Sequence, residues 1–179
     1  MTQTLTIRSA TAADLPEVLR LYQQPDLDDG KVLSLEQAIA LFHKMQQYPD
    51  YRLLVATVGD RFVGTFTLLV MDNLLHLGAP AAVVEAIAVD PQFHNRGIGG
   101  QMMRWAMAEA SRAGCYKLVL SSNQKRTQAH AFYENLGFQR HGYSFYIPLP
   151  LSADGSSEGP VALPDCSLAS TARRPTEPK

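Results

Sequence analysis

The sequence has little cysteine, no excess of basic residues and no long apolar run. Only Cys115 and Cys166 are cysteines among 179 residues, which suits a reduced compartment, and their spacing forms no metal-ligand motif. Sixteen basic residues stand against 17 acidic ones, and this balance argues against a nonspecific nucleic-acid binder. No apolar run approaches the roughly 18 residues that span a bilayer. We therefore expect a cytoplasmic protein with no nucleic-acid or membrane partner.

Signals for secretion and for metal binding are also missing. Residues 1–8 contain no basic segment followed by an apolar stretch, so we expect no signal peptide. The five histidines are scattered and have no HExxH or CxxC companion, so we expect no metal. Residues 152–179 contain four prolines and no aromatic residue. We expect one globular domain over residues 1–150 and a flexible tail over 151–179.

The hydrophobic pattern predicts strands and helices in a mixed order. Strands are predicted at 4–9, 51–58, 62–71, 82–89, 116–120, 138–140 and 143–149, and helices at 11–23, 35–47, 98–113 and 127–136. The strand at 82–89 is apolar except for Glu85, so it should be central and buried, and the strand at 116–120 should be buried too. This order predicts a single α/β or α+β domain with a mixed sheet.

The most informative stretch joins a strand, a glycine-rich loop and a helix. The strand ends at Val89-Asp90-Pro91, and the basic loop His94-Asn95-Arg96-Gly97-Ile98-Gly99-Gly100 leads into an amphipathic helix. The first N–H groups of a helix have no partner within the helix and bind anions, while glycine lets a phosphate approach the backbone. The stretch therefore predicts a ligand that carries phosphate.

Three common phosphate-binding loops do not fit. Walker A requires Gly-Lys-Ser/Thr, but Gln101 follows Gly100. The dinucleotide fingerprint requires a third Gly or Ala where Met102 stands, and no acid follows about 20 residues later on a strand end. The kinase loop lies between two strands rather than before a helix.

Two blocks resemble the GNAT N-acetyltransferase superfamily. Ile87-Ala88-Val89-Asp90-Pro91 with His94-Asn95-Arg96-Gly97-Ile98-Gly99 resembles its Gln/Arg-x-x-Gly-x-Gly/Ala motif for acetyl-CoA, although histidine replaces Gln or Arg at His94. Ala129-His130-Ala131-Phe132-Tyr133-Glu134-Asn135-Leu136-Gly137-Phe138 resembles the family's later helix and closing turn. The resemblance covers nearly all of the chain except the tail. It implies a mixed, mostly antiparallel central sheet with splayed central strands, flanked by about four helices.

The resemblance also implies acetyl-CoA as co-substrate and assigns residues to it. Ile87, Ala88 and Val89 would pair with the pantetheine, and one of their N–H groups would polarise the acetyl carbonyl. The pyrophosphate would be held by His94, Asn95, Arg96, Gly97, Ile98, Gly99 and Gly100. The histidine leads us to expect an affinity for acetyl-CoA that changes between about pH 6 and 8.

Three further residues are candidates for the chemistry or for the cofactor. Tyr133 stands where the family often has a tyrosine that protonates the departing thiolate, and it would also contact the cofactor; the alternative is that it only packs with Phe132 in the core. Glu85 would act as a general base through water or orient the amine, or it is a solvated or ion-paired acid. Asn123 would contact the cofactor or the substrate, or it forms a turn.

The implied reaction is transfer of acetyl from acetyl-CoA to a primary amine of a small molecule by direct attack in a ternary complex. The strand 84–89 and residues 114–120 are similar to glucosamine-6-phosphate N-acetyltransferases, but Ala86 and Ser121-Ser122 stand where that branch has acids. The acceptor is therefore left open. A protein or peptide acetyltransferase and a non-catalytic CoA-binding module are the alternatives. Dimers are common in the family, so a homodimer is compatible with the resemblance.

Overall fold

A computed structural model describes residues 4–25, 27–142 and 144–145 of the chain. Internal contacts divide the chain into a unit from Met1 to Gly142 and a unit from Tyr143 to Lys179. Every element given below belongs to the first unit. The predicted tail lies outside the described residues. So does the predicted strand at 143–149, except for residues 144–145, which are not in a strand.

The described residues form one five-stranded sheet and four α-helices. The strands are β1 (Leu5–Ser9), β2 (Tyr51–Val58), β3 (Arg61–Met71), β4 (Ala81–Val89) and β5 (Lys117–Val119), in the spatial order of the chain. The helices are α1 (Leu15–Tyr22), α2 (Leu35–Met45), α3 (Ile98–Arg112) and α4 (Thr127–Asn135). All neighbouring strands are antiparallel except β4 and β5, which are parallel. The prediction of a mixed, mostly antiparallel sheet is confirmed.

Local sequence signals fix several helix ends. A capping box starts α2, where Gln37 N–H donates to Ser34 Oγ at 3.2 Å and Ser34 N–H donates to Gln37 Oε1 at 3.1 Å. At the end of α4, Gly137 adopts a left-handed φ of 93°, and Phe138 N–H donates to Tyr133 O at 3.1 Å. The strand predicted at 138–140 is wrong, because this segment begins by closing the helix and does not join the sheet.

Helices cover both faces of the sheet. On one face, Met102 and Met103 of α3 share a core with Phe66 of β3, and Trp105 of α3 packs edge-on against Phe66. On the other, Phe42 of α2 belongs to a second core with α1 and β2. The absence of a side chain at Gly64 of β3 lets α3 lie close to the sheet, because a Cβ there would lie 2.6 Å from Met102 Sδ.

The strand β5 is shorter and more exposed than the prediction of a buried strand at 116–120. Only Leu118 points into the core on the α3 side, whereas Lys117 and Val119 are exposed. Side chains alternate between the two faces of a strand, and only one face of this strand is covered. The prediction of a buried strand is therefore wrong.

Candidate active site

A gap opens between β4 and β5. The two strands pair only through Ala81–Val83 and Lys117–Val119, although β4 continues to Val89. Beyond Val83, the edge of β4 that faces away from β3 has no strand partner among the described residues. An unpaired edge of this kind presents N–H and C=O groups to any extended ligand. This gap is the splay that the resemblance implied.

A β-bulge bends β4 within the gap. Thr67 of β3 lies opposite Glu85 and Thr65 lies opposite Ala88, so three steps along β4 match two along β3. Ala86 takes up the difference with a left-handed φ of 51°, a conformation that costs a non-glycine residue about 1–3 kcal/mol. The bulge interrupts the predicted central strand and exposes both Glu85 and Ala86.

Glu85 lies on the same face of the sheet as Thr67, its cross-strand neighbour. Its backbone carbonyl accepts a hydrogen bond from Thr67 Oγ1 at 3.2 Å. Within the described part of the chain, its carboxylate has no ion-pair or hydrogen-bond partner. Glu85, the one acid in the apolar strand, is thus solvent-accessible beside the gap. Its carboxylate is available to a cationic or protonated group.

The glycine-rich loop follows β4 directly. A 3-10 turn over Pro91–Phe93 is capped by Asp90, whose Oδ1 accepts from Gln92 N–H at 2.9 Å. Asn95 and Gly97 then adopt left-handed φ values of 57° and 76°, and Gly97 is the N-cap of α3. The opening N–H groups of α3 at Ile98, Gly99 and Gly100 have no acceptor among the described residues.

His94 turns back toward the strand that precedes it. Its Nε2 lies 2.9 Å from the carbonyl oxygen of Val89. The same oxygen accepts a hydrogen bond from Gln24 Nε2 at 3.2 Å, which comes from the chain just beyond α1. The ring donates to this carbonyl whether it is neutral or protonated, provided that Nε2 carries the hydrogen. The pH sensitivity of acetyl-CoA binding stays a prediction.

Three elements meet at Gly99. A Cβ at this position would lie 3.3 Å from Phe132 Cζ of α4 and 3.7 Å from Val89 Cγ2 of β4. The missing side chain therefore lets α4 pack against the start of α3, next to the end of β4. This packing brings the helix that carries Tyr133 to the glycine-rich loop.

Tyr133 is half-buried in an aromatic group on α4. Its ring packs edge-on against Phe132 and Phe138, with centroids 5.1 and 5.8 Å away. Burial raises the pKa of the phenol, and the positive charge of Arg126 lowers that pKa to a smaller extent. The phenol consequently holds its proton at neutral pH, as a proton donor must. Both the catalytic and the packing interpretation fit this position.

Asn123 forms a turn before α4. Its side-chain Oδ1 accepts a hydrogen bond from Lys125 N–H at 2.9 Å. Its backbone carbonyl oxygen accepts one from Arg126 N–H at 2.9 Å and lies 3.0 Å from His130 Nε2. Both oxygens of Asn123 are engaged locally, as the turn-forming alternative requires. Beside it, Ser122 Oγ is buried and has no partner among the described residues.

Sequence reasoning missed the residues that attach α1 to this region. Arg20 forms an ion pair with Asp90 at 2.9 Å, and Gln24 binds the Val89 carbonyl. Burial raises the pKa of the partly buried Tyr22 to about 12, and the neighbouring Thr65 lowers that pKa to a smaller extent. No local pattern marks these residues, because their partners lie more than 40 positions away in the chain.

A sequence model of the Acetyltransferase (GNAT) family matches residues 15–138. The chain belongs to this family. Among the GNAT proteins that it resembles, the glucosamine 6-phosphate N-acetyltransferase of Trypanosoma brucei brucei is 34% identical over 82 residues. The match covers 45% of this chain and 53% of that protein, so the chain spans about half of that relative's length.

Two other GNAT comparisons extend over most of the chain. The aminoglycoside N(6')-acetyltransferase type 1 of Stenotrophomonas maltophilia is 28% identical over 150 residues, which are 82% of this chain and 94% of that protein. The crystal structure of an acetyltransferase from Trypanosoma brucei superposes with a TM-score of 0.68 at 26% identity, over 82% of this chain and all of the other. The GNAT fold implied by the sequence is confirmed.

The described residues of this GNAT chain contain no helix long and apolar enough to cross a membrane. They also contain no group of three or more His, Cys, Asp or Glu side chains that could hold a metal ion. Enzymes of the GNAT family use acetyl-CoA as co-substrate. The residues of the gap and the loop fit that molecule, since a free strand edge leads to unpaired N–H groups at a helix start.

Proposed function

We propose that this protein transfers the acetyl group of acetyl-CoA to a primary amine of a small molecule by direct attack in a ternary complex. The observation that carries the proposal is the continuous path along β4. The free edge of the bulged strand runs to the glycine-rich loop and ends at the unpaired N–H groups of Ile98, Gly99 and Gly100. An elongated ligand with an amide chain at one end and a pyrophosphate at the other matches this path.

Backbone alternation narrows which N–H group could polarise the acetyl carbonyl. Asp90 N–H donates to Val63 O of β3 at 2.9 Å. Successive N–H groups of a strand point to opposite sides, so Val89 N–H is directed into the gap and Ala88 N–H toward β3. The carbonyl of Val89 is already bound by Gln24 and His94. We therefore assign the role to the N–H of Val89 or of Ile87, and not to that of Ala88.

Acetyl-CoA supplies an activated thioester when it is bound. The amine nitrogen forms a bond to the acetyl carbon, the carbon–sulfur bond breaks, the amine loses a proton and the thiolate gains one. Glu85 would accept the amine proton through water or orient the amine, and Tyr133 would donate a proton to the sulfur. General acid–base groups of this kind contribute about 10²- to 10⁴-fold in rate.

The acceptor is assigned as a class and not as a compound. The two relatives are named for glucosamine 6-phosphate and for aminoglycosides, which are small amines of opposite net charge. Both compounds carry a primary amine, and we propose that the acceptor of the present chain carries one as well. The exposed carboxylate of Glu85 beside Thr67 supports an amine acceptor.

The proposal is tested by measuring thiol release from acetyl-CoA with a panel of amines. The panel contains glucosamine 6-phosphate, an aminoglycoside, a simple alkylamine and a lysine-containing peptide. We expect release with at least one small amine and an acetylated product in the mass spectrum. Release with the peptide alone would favour a protein acetyltransferase. Tight binding of acetyl-CoA without any release would favour a non-catalytic module.

A further inference from the structure

Among the described arginines, ion pairs with carboxylates distinguish two groups. Carboxylates pair with Arg8, Arg20, Arg52, Arg112 and Arg140. Over residues 4–25, 27–142 and 144–145, no carboxylate lies within ion-pair distance of Arg61, Arg96 or Arg104. Arg61 and Arg96 lie over the ring of Phe93 and Arg104 lies beside Gly100, so these three guanidiniums concentrate positive charge around the glycine-rich loop.

Arg96 and Arg104 border the first turn of α3. Arg96 immediately precedes the N-cap Gly97, and its Cζ lies 5.1 Å from the centroid of Phe93. Arg104 reaches back along the helix, and its Nη1 and Nη2 each lie 3.5 Å from where a Cβ on Gly100 would be. Long side chains on a helix lean toward its N-terminus, and the absence of a side chain at Gly100 leaves room for this one.

Arg61 differs because its guanidinium is already bound. Its Nη2 donates to Gln92 Oε1 at 2.9 Å, and its Cζ lies 5.0 Å from the centroid of Phe93. It reaches the loop from the start of β3 rather than from α3. This arginine shares the charge and the neighbourhood of the other two but is held by an amide oxygen, which makes it a matched control.

We propose that Arg96, which the resemblance assigns to the pyrophosphate, instead recognises the 3′-phosphate of coenzyme A together with Arg104, an inference that rests on the proposed function. The unpaired N–H groups of α3 account for the pyrophosphate, but CoA carries a further phosphate on the 3′-oxygen of its ribose. Guanidinium groups form strong, charge-assisted hydrogen bonds with phosphate oxygens. Two guanidiniums that have no carboxylate partner in the described part of the chain, beside the pyrophosphate position, suit this additional dianion. The protein therefore distinguishes CoA from 3′-dephospho-CoA.

The test measures equilibrium binding of CoA and of 3′-dephospho-CoA by calorimetry, without any amine. We expect the unsubstituted protein to bind CoA at least about tenfold more tightly than 3′-dephospho-CoA. Arg96→Gln and Arg104→Gln should each reduce this ratio by about threefold or more, and leave the Kd for 3′-dephospho-CoA unchanged. Arg61→Gln and Arg112→Gln are the controls and should keep the ratio.

The outcomes separate this inference from the proposed function. Equal weakening of both ligands by Arg96→Gln and Arg104→Gln would assign these arginines to the pyrophosphate and overturn the inference. A ratio near one in the unsubstituted protein would overturn it as well, as would a ratio that Arg61→Gln reduces just as strongly. Failure of the unsubstituted protein to bind either ligand would overturn the proposed function itself. Thermal unfolding of each variant establishes that it is folded.

Discussion

Arg20 Nη1 and Asp90 Oδ2 form an ion pair of 2.9 Å that joins α1 to the end of β4. Asp90 is buried, and its other carboxylate oxygen caps the turn that leads into the glycine-rich loop. Arg20 also pairs with Glu17 at 2.7 Å on its exposed side. One carboxylate thus ties the first helix, the bulged strand and the loop together.

Replacing Arg20 with methionine should destabilise the protein. The substitution keeps most of the side-chain volume but leaves the buried Asp90 carboxylate with the Gln92 N–H alone. We expect the free energy of unfolding in urea to fall by about 1–3 kcal/mol. Glu17→Gln removes only the exposed ion-pair partner of Arg20 and should change the free energy of unfolding by no more than about 1 kcal/mol. Equal losses in the two variants would contradict a special role for the Asp90 pair.

Asp14 makes stability depend on pH in acid. Arg8 donates to both of its oxygens at 2.6 and 2.8 Å, and Thr11 donates from its N–H and its hydroxyl. Hydrogen bonding by Arg8, more than any other cause, lowers the pKa of Asp14 to about 2. The folded pKa lies below the unfolded value, so the stabilisation is complete above about pH 4 and disappears as the pH falls toward 2.

The variant Asp14→Asn tests this dependence. Because Arg8 is half exposed, we expect a loss of only about 1–2 kcal/mol at pH 7. The fall in stability between pH 4 and 2 should also become shallower than in the unsubstituted protein. Urea unfolding at several pH values measures both effects. An unchanged slope would show that the carboxylate of Asp14 does not carry the pH dependence.

Glu85→Gln should impair the reaction of the amine but not the binding of acetyl-CoA. The substitution removes the charge and the basicity of the carboxylate beside the gap, and leaves β4 and the loop intact. We expect kcat/KM for the amine to fall by about 10- to 100-fold, with little change in the Kd for acetyl-CoA. Asp60→Asn, at an exposed acid in the β2–β3 turn, is the control. If the Glu85→Gln variant has the same kcat/KM as the unsubstituted protein at every pH, Glu85 takes no part in the mechanism.

Tyr133→Phe separates the acid role from packing. Phenylalanine preserves the edge-on contacts with Phe132 and Phe138 and removes only the hydroxyl. We expect kcat to fall by about 10- to 100-fold, while the melting temperature and the Kd for acetyl-CoA stay close to their original values. Retention of full kcat would leave Tyr133 with a packing role alone.

Much of the fold follows from short-range patterns in the sequence. The capping box at Ser34, the turn at Gly59-Asp60 and the helix-ending Gly114 and Gly137 all lie where the sequence predicts them. The errors at 116–120 and 138–140 concern segments whose structure depends on what packs beside them. A short apolar run predicts an extended segment, but pairing and burial are decided by its neighbours.

The candidate site likewise has a part that the sequence predicts and a part that only the structure shows. The loop from His94 to Gly100 is contiguous, so its glycines and the following helix predict an anion site without knowledge of the rest of the fold. The role of Tyr133 comes from resemblance, whereas Glu85 is a candidate because it is an acid in an apolar strand and Asn123 because it follows a strand. Only the structure reveals that Asn123 is engaged in its own turn, since the partners of a side chain cannot be inferred from its identity.

The sequence by itself determined the order of elements, the glycine-rich loop at the start of α3 and the family, because these depend on residues adjacent in the chain. The tertiary structure decided the gap beside β4, the left-handed Ala86 that exposes Glu85 and the attachment of α1 through Arg20 and Gln24. Each of these depends on contacts between distant segments. Such contacts are set by tertiary packing, and a local hydrophobic pattern in the sequence does not predict them.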